Sequence, residues 1–281
     1  MRKNSLSVLC ILLMAGLLIS SCKKNKVDNE VQSVIDNALC EQEFMRIPIM
    51  FNARAIQAVG IKKVMPGYSQ AWSGTCPKDS VVGDTSGYAA GSFTNSTNLP
   101  GMQLDWGSGC ADQVDGVSRS GKLSGIFTKP WSQAGSVVTI TPLAYKAGNI
   151  SYSGTIKVTR TAPYVFTVEV TGGKCSEGGA TMEWNCNRTI TWISGMGDTN
   201  EQNDVFEISG NASGVNREGK AFSVVITSSL NKAADCKWIS RGVLEVSPDG
   251  LKTRVVDYGD GTCNATATFT VNGNTYTFNM Q

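Results

Sequence analysis

Two aspartates, Asp105 and Asp257, stand at matching places in two similar strings, Leu104-Asp105-Trp106-Gly107-Ser108-Gly109-Cys110 and Val256-Asp257-Tyr258-Gly259-Asp260-Gly261-Thr262-Cys263. A carboxylate pair is the equipment of glycoside hydrolysis, one group serving as acid and the other as base or nucleophile. No further signature accompanies these two, and an Asp ahead of an aromatic-Gly step commonly accepts hydrogen bonds from the turn backbone. The sequence therefore assigns both to turns and names no catalytic residue. The 281 residues contain no histidine, which removes Ser-His-Asp, Cys-His and histidine-metal mechanisms in their usual forms. Asp257, Asp260 and Asn264 offer the oxygen ligands that calcium takes, but the string lacks the alternating acids and closing Glu of an EF-hand loop. A turn rich in Asp and Gly is the favoured reading, with no metal and no cofactor. Of six tryptophans, Trp106 and Trp238 sit in strand contexts and are expected inside. Trp131, behind Lys129-Pro130, is the candidate for an exposed ring on which a sugar could stack.

The cysteines carry a different chemistry. Nine are present. Cys10 lies within an apolar leader and Cys22 closes it, leaving Cys40, Cys76, Cys110, Cys175, Cys186, Cys236 and Cys263. An odd number leaves one unpaired within the chain, and Cys40, in a helical segment, is the expected odd one. No C-x-x-C pair exists, so a thiolate zinc site is disfavoured. The repeat around Asp105 and Asp257 suggests Cys76–Cys110 and Cys236–Cys263 as equivalent disulfides. Cys175 and Cys186 would then cross-link a hairpin around Gly178-Gly179. Each bond would contribute about 2–4 kcal/mol by restricting the unfolded chain.

Residues 1–22 read as an address. Arg2 and Lys3 precede an uncharged, mostly apolar run from Leu6 to Ser20. The run falls short of the roughly 20 residues of a bilayer span and fits a secretory signal. Its end, Leu18-Ile19-Ser20-Ser21-Cys22, resembles the lipobox of bacterial lipoproteins. The resemblance implies diacylation of the Cys22 thiol, cleavage before it and acylation of the new amine, which makes a stable anchor. Export also puts the remaining cysteines where disulfides persist.

These groups must be positioned by the elements that follow. Lys23 to Glu30 is polar and suits a tether. Within residues 29–59, Val31, Val34, Ile35, Ala38, Leu39 and Phe44 recur at helical spacing. Pro48 is expected to break or kink that helix. From Gly60 onward the period becomes two, as in Met102-Leu104-Trp106 and Phe166-Val168-Val170. Pro100-Gly101, Gly172-Gly173, Gly178-Gly179, Pro248-Asp249-Gly250 and Asn272-Gly273 supply turn signals. Together with a second echo, Ser153-Gly154-Thr155-Ile156-Lys157-Val158-Thr159 against Arg241-Gly242-Val243-Leu244-Glu245-Val246-Ser247, this predicts an all-β protein. Two related antiparallel β-sandwich-like halves, 61–171 and 172–281, would follow a tether and helix at 23–60.

Losing Arg2 and Lys3 takes Lys+Arg from 25 down by two to 23, equal to Asp+Glu. A neutral body argues against a nucleic-acid surface and against a broad electrostatic grip on anionic lipid. The strings Asp105-Trp106-Gly107-x-Gly109-Cys110, Asp115-Gly116-x-x-Arg119-x-Gly121-Lys122, Cys236-Lys237-Trp238 and Asp257-Tyr258-Gly259-Asp260-Gly261-Thr262-Cys263-Asn264 resemble a recurrent pattern in uncharacterised Bacteroidota exported lipoproteins. The likeness covers most of residues 30–281. It implies a β-rich exported lipoprotein without assigning an activity. Lysines behind Cys22, where surface-bound lipoproteins often carry acids, leave the leaflet open. Asp79-Ser80-Val81 resembles the short O-glycosylation acceptor of the same phylum, and an ordinary loop accounts for it equally well. The expectation is a non-catalytic envelope protein, lipid-anchored in the outer membrane, with its body on the cell surface or in the periplasm. Its partner would be a glycan or protein. The alternative is a carbohydrate-binding or carbohydrate-processing part of an outer-membrane uptake system.

Overall fold

The computed structural model describes residues 28, 30–58, 76–84, 98–198 and 200–280. The signal segment, including Cys22, lies outside the described residues. Among the described residues one α-helix, α1 (Gln32–Ala58), precedes thirteen strands. They are β1 (Lys78–Val82), β2 (Gly101–Ala111), β3 (Ser118–Phe127), β4 (Ser136–Ala147), β5 (Ile150–Ala162), β6 (Val165–Glu177) and β7 (Ala180–Ser194), then β8 (Val205–Val215), β9 (Ala221–Ala233), β10 (Arg241–Pro248), β11 (Arg254–Asp260), β12 (Thr266–Val271) and β13 (Asn274–Asn279). They form a single antiparallel sheet in sequence order. The all-β body and its leading helix are thus as the sequence predicts. The expected boundary at 171/172 falls inside β6, and the β6–β7 ladder runs on both sides of it.

Alternation builds the strands. Ile156 and Val158 of β5 are buried, while Thr155 and Lys157 between and beside them face out, the pattern of a sheet with one covered face. Asn272 and Gly273 both adopt positive φ, 54° and 77°, closing the β12–β13 hairpin; a two-residue turn of this kind matches the strand twist. Gly172-Gly173, expected to separate two strands, instead lies within β6 as a bulge, with the register shifting between Val170 and Gly173. Glycine inside a strand marks such a site because backbone approaches too closely for a side chain. A Cβ on Gly173 would lie 2.2 Å from the Trp184 carbonyl oxygen. Similar shifts interrupt β2–β3, β3–β4, β4–β5, β5–β6, β8–β9 and β9–β10. Bulges bend strands and strengthen twist, so the sheet curls.

What it curls around is α1. Val34, Leu39, Phe44, Met45, Ile47, Ile49, Met50 and Phe51 are all buried, and together they point to every side of the helix. A helix that buries apolar side chains on every side belongs in a core. The helix runs unbroken through Pro48, so of the expected break or kink the break does not occur. Ile47 and Ile49 on either side of Pro48 are 0% and 3% exposed, so packing on both flanks holds the turn that lacks one amide bond. At the start, Glu30 Oε1 accepts from the Ser33 amide at 2.7 Å, placing an acid at the positive end of the helix dipole.

The disulfides differ from expectation at one place. Cys76–Cys110 and Cys236–Cys263 form as the repeat suggests. Cys175, however, bonds Cys40 of α1, and Cys186 is the buried free thiol. The register explains the correction. Cys175 lies opposite Met182 and Cys186 opposite Val170, so the two cysteines stand four residues apart along the ladder, about 13 Å. Cys40 reaches Cys175 with Cα atoms 6.0 Å apart, inside the range a disulfide spans. Trp131 is the second correction. It is 1% exposed, stacks on Phe166, and donates from Nε1 to Asn52 Oδ1 at 3.1 Å. Trp106 is buried and Trp238 partly so.

Candidate functional site

The interior is polar as well as apolar, and its chemistry is consumed by the fold. Arg119 of β3 grips Glu43 through Nε and Nη2 at 2.9 and 3.1 Å and Asp115 through Nη1 and Nη2 at 2.8 Å each. The Tyr145 hydroxyl also donates to Glu43. Arg46 lies 3.1 Å from Asp115. Arg188 of β7 meets Glu41, and Trp184 Nε1 donates to Asn37 at 2.9 Å. Paired charges of this sort tolerate burial only when each keeps its partner. Burial pushes the Tyr145 and Tyr152 hydroxyls well above their ordinary value, and the nearby Glu43 adds to it. Burial alone would raise Asp115, but its hydrogen bonds to Arg119 and the charge of Arg46 hold it well below the usual carboxylate range. Two groups are set near neutrality. Burial, reinforced by Glu201, lifts Asp204 to about 7, and burial with Arg46 nearby lowers Lys232 to about 7.

The helix fills most of the interior; a cavity of about 230 Å³ remains between Leu39, Gln42 and Glu43 of α1 and Ala147, Ile150 and Tyr152 of the sheet, and a second hollow lies on the outside of the sheet. Register aligns Glu169 of β6 with Asn187 of β7 and Asn211 of β8. Thr171, Asn185 and Ser213 flank this row, and the whole set borders a shallow groove of about 380 Å³. Two bends make it concave. One is the β6 bulge, pinned where Asn185 Oδ1 accepts from the Gly172 amide at 2.7 Å. The other is Gly210, at φ 113°, where a Cβ would sit 2.3 Å from the Asn187 carbonyl oxygen. Val170, Cys186 and Ala212 form the buried floor. Burial raises the Cys186 thiol to about 12, so it stays protonated and unreactive at neutral pH. Glu169 brings a charge to the rim and is paired to Lys157 at 3.3 Å. Amides and hydroxyls on a shallow neutral surface donate and accept in equal measure, chemistry that suits a neutral polar ligand such as a glycan chain or an exposed peptide backbone.

The residues singled out by sequence fall elsewhere. Asp105 accepts from the Gly107 amide at 2.8 Å and pairs with Lys122 at 2.9 Å. The hydrogen bond from Lys122, then that from Gly107, lowers its carboxyl. Asp257 accepts from Gly259 at 2.9 Å. The two are on β2 and β11, each occupied in its own bend. Asp260 and Asn264 accept from Thr262 and Thr266 at 3.0 and 2.8 Å, so the proposed calcium ligands serve separate turns. Among the described residues no three His, Cys, Asp or Glu converge as a metal site. Asp79 of the Asp79-Ser80-Val81 string lies on β1 and pairs with Arg54 at 3.1 Å. Sequence reasoning did not find the polar set on α1. Its signal was present: at 3.6 residues per turn Asp36, Glu43, Arg46 and Arg54 fall on one side of the helix and Glu41 on the other, among apolar residues. No helix among the described residues is long and apolar enough to cross a membrane.

Compared with protein-family models, curated proteins and solved structures, the chain matches none.

Proposed function

We propose that the protein is an exported envelope lipoprotein, anchored through Cys22, whose β-rich body binds or supports a partner without catalysing a reaction. The observation that carries this reading is the filled interior. A helix with matched charges occupies most of the space where a curled sheet would otherwise hold a ligand, leaving inside it a cavity of about 230 Å³ beside Glu43 and Tyr152 and the outer face as the wider surface. Three disulfides in the body agree with an oxidising compartment, and the leader ending at Cys22 supplies the route and the anchor. The resemblance to Bacteroidota lipoproteins favours the outer membrane. Carbohydrate binding is the second reading, favoured by the amide and hydroxyl groove on β6 to β8.

Two ancestral halves fit the same picture. Asp105 and Asp257 each accept from the glycine two residues on. Each motif ends in a disulfide of similar span. Gly154 and Gly242 both take positive φ, 122° and 114°, at register shifts.

The test substitutes Asp105→Asn and Asp257→Asn. A binding protein loses melting temperature and shows no hydrolysis of a glycan panel in either form. Hydrolysis by the wild type that these changes abolish while the fold survives would establish an enzyme instead.

A further inference from the structure

Asp28 and Glu30 are fixed to the body ahead of α1. Arg254, fully buried, donates to the Glu30 carbonyl from Nε and Nη2 at 3.2 and 3.0 Å and pairs with the Asp28 carboxylate. Asn216 Nδ2 donates to Glu30 Oε1 and Ser33 Oγ, both at 3.1 Å. Asp28 therefore sits against the β10–β11 turn, beside the β8–β9 turn. The far end of α1 meets different loops. Asn52 binds Trp131 in the β3–β4 connection, and Arg54 lies near Glu201 in the β7–β8 connection. From Ser33 to Asn52 the helix axis covers about 29 Å, so the body has a base and a top separated by that distance.

Five residues, Lys23 to Val27, stand between Cys22 and Asp28. Six steps of at most about 3.5 Å reach roughly 20 Å. A lipid on Cys22 cannot lie farther than that from the base. Exposed Glu218, Asp249 and Lys252 and half-buried Lys220 line the base.

We propose that the base, formed by the β8–β9 and β10–β11 turns, docks on the phospholipid headgroup surface and holds the β3–β4 and β7–β8 loops outward. This rests on the reading that Cys22 is lipidated. A leash of that reach keeps the lipid nearer the base than the loops at the far end of α1, about 29 Å of helix away.

The test uses the full lipidated chain in vesicles of phosphatidylcholine and phosphatidylglycerol with a headgroup-linked energy acceptor. Donor dyes are placed singly at Glu218→Cys, Asp249→Cys, Ser132→Cys and Gln202→Cys; the buried Cys186 does not compete for label. Flotation comes first. Wild type that fails to float with the vesicles overturns both the anchor and the docking. If it floats, transfer from positions 218 and 249 is expected to exceed that from 132 and 202 about twofold or more, since about 29 Å of helix separates the two groups. Equal or reversed transfer overturns the docked orientation and leaves the anchor standing.

Discussion

The guanidinium of Arg188 lies 2.6 Å from the carboxylate of Glu41, and neither side chain exposes any surface to solvent. This contact joins the central helix to the middle of the sheet. The Tyr258 hydroxyl is buried without a hydrogen-bond partner among the described residues, and its proton is held by burial and by the charge of Glu41.

Removing one member of such a pair leaves the other buried and uncompensated, at a cost of about 3–5 kcal/mol. Arg188→Met is therefore expected to lower unfolding stability by that amount in a urea titration. Adding Glu41→Met should recover much of the loss, because two apolar side chains replace two buried charges. A double variant as unstable as the sum of the singles would show that the pair is not a unit.

The pairing of Cys40 with Cys175 has a chemical signature. The body, denatured without reductant, should titrate a single thiol, Cys186, and the native body none. Peptide mapping should recover the Cys40–Cys175 link. Cys40→Ser with Cys175→Ser should cost about 2–5 kcal/mol. Recovery of a Cys175–Cys186 peptide would contradict the fold around α1.

Gly210 gives the outer groove its bend. Gly210→Val places a branched side chain at φ 113°, with its Cβ 2.3 Å from the Asn187 carbonyl. The expected loss is about 1–3 kcal/mol. Loss of any groove ligand should accompany it, read by calorimetry against Asn187→Leu, which changes the groove without strain.

Asp204 and Lys232 make stability depend on pH in opposite senses. Asp204 keeps its proton in the fold up to about 7, whereas the unfolded chain loses it near 3.8. Across that window the folded state binds the extra proton, so stability falls as pH rises. Lys232 gives up its proton near 7 in the fold and near 10.5 when unfolded, so stability rises with pH over that range. Melting temperature should pass through a minimum near neutrality. Asp204→Asn should flatten the acid side of that minimum and Lys232→Met the alkaline side. Below about 3.8 the depressed Asp115 reverses the trend: its contribution is present above that value and is lost as pH falls toward its folded pKa.

Strand identity was legible because burial on one face writes a period of two, as at Thr155 to Val158. The Asn272-Gly273 hairpin was legible because its dipeptide has one favoured geometry. Gly172-Gly173 misled because glycine serves turns and bulges alike, and neighbouring strands decide which. Cys175 was misassigned because the choice between Cys186 and Cys40 depends on ladder register and on where α1 lies, neither of which is local. The helix itself was found, but its place at the centre was not. Its stripe from Val34 to Phe44 matches a helix packed on one side, and only the residues after it, Met45 to Phe51, complete the circle. Nothing local marks Glu43 as buried, because the arginine it pairs with, Arg119, is more than seventy residues away. The outer groove had no motif, since Glu169, Asn187 and Asn211 are neighbours only across three strands.

The central claim is that the body is exported and held at a membrane by Cys22. Mass analysis of the amino-terminal peptide from the protein purified out of its native membranes tests it most directly. The expected result is a chain beginning at Cys22 and carrying fatty acyl groups on its thiol and its amine, with Cys22→Ser released from the membrane fraction. An intact leader, or a cleaved chain whose first residue bears no acyl group, would contradict it.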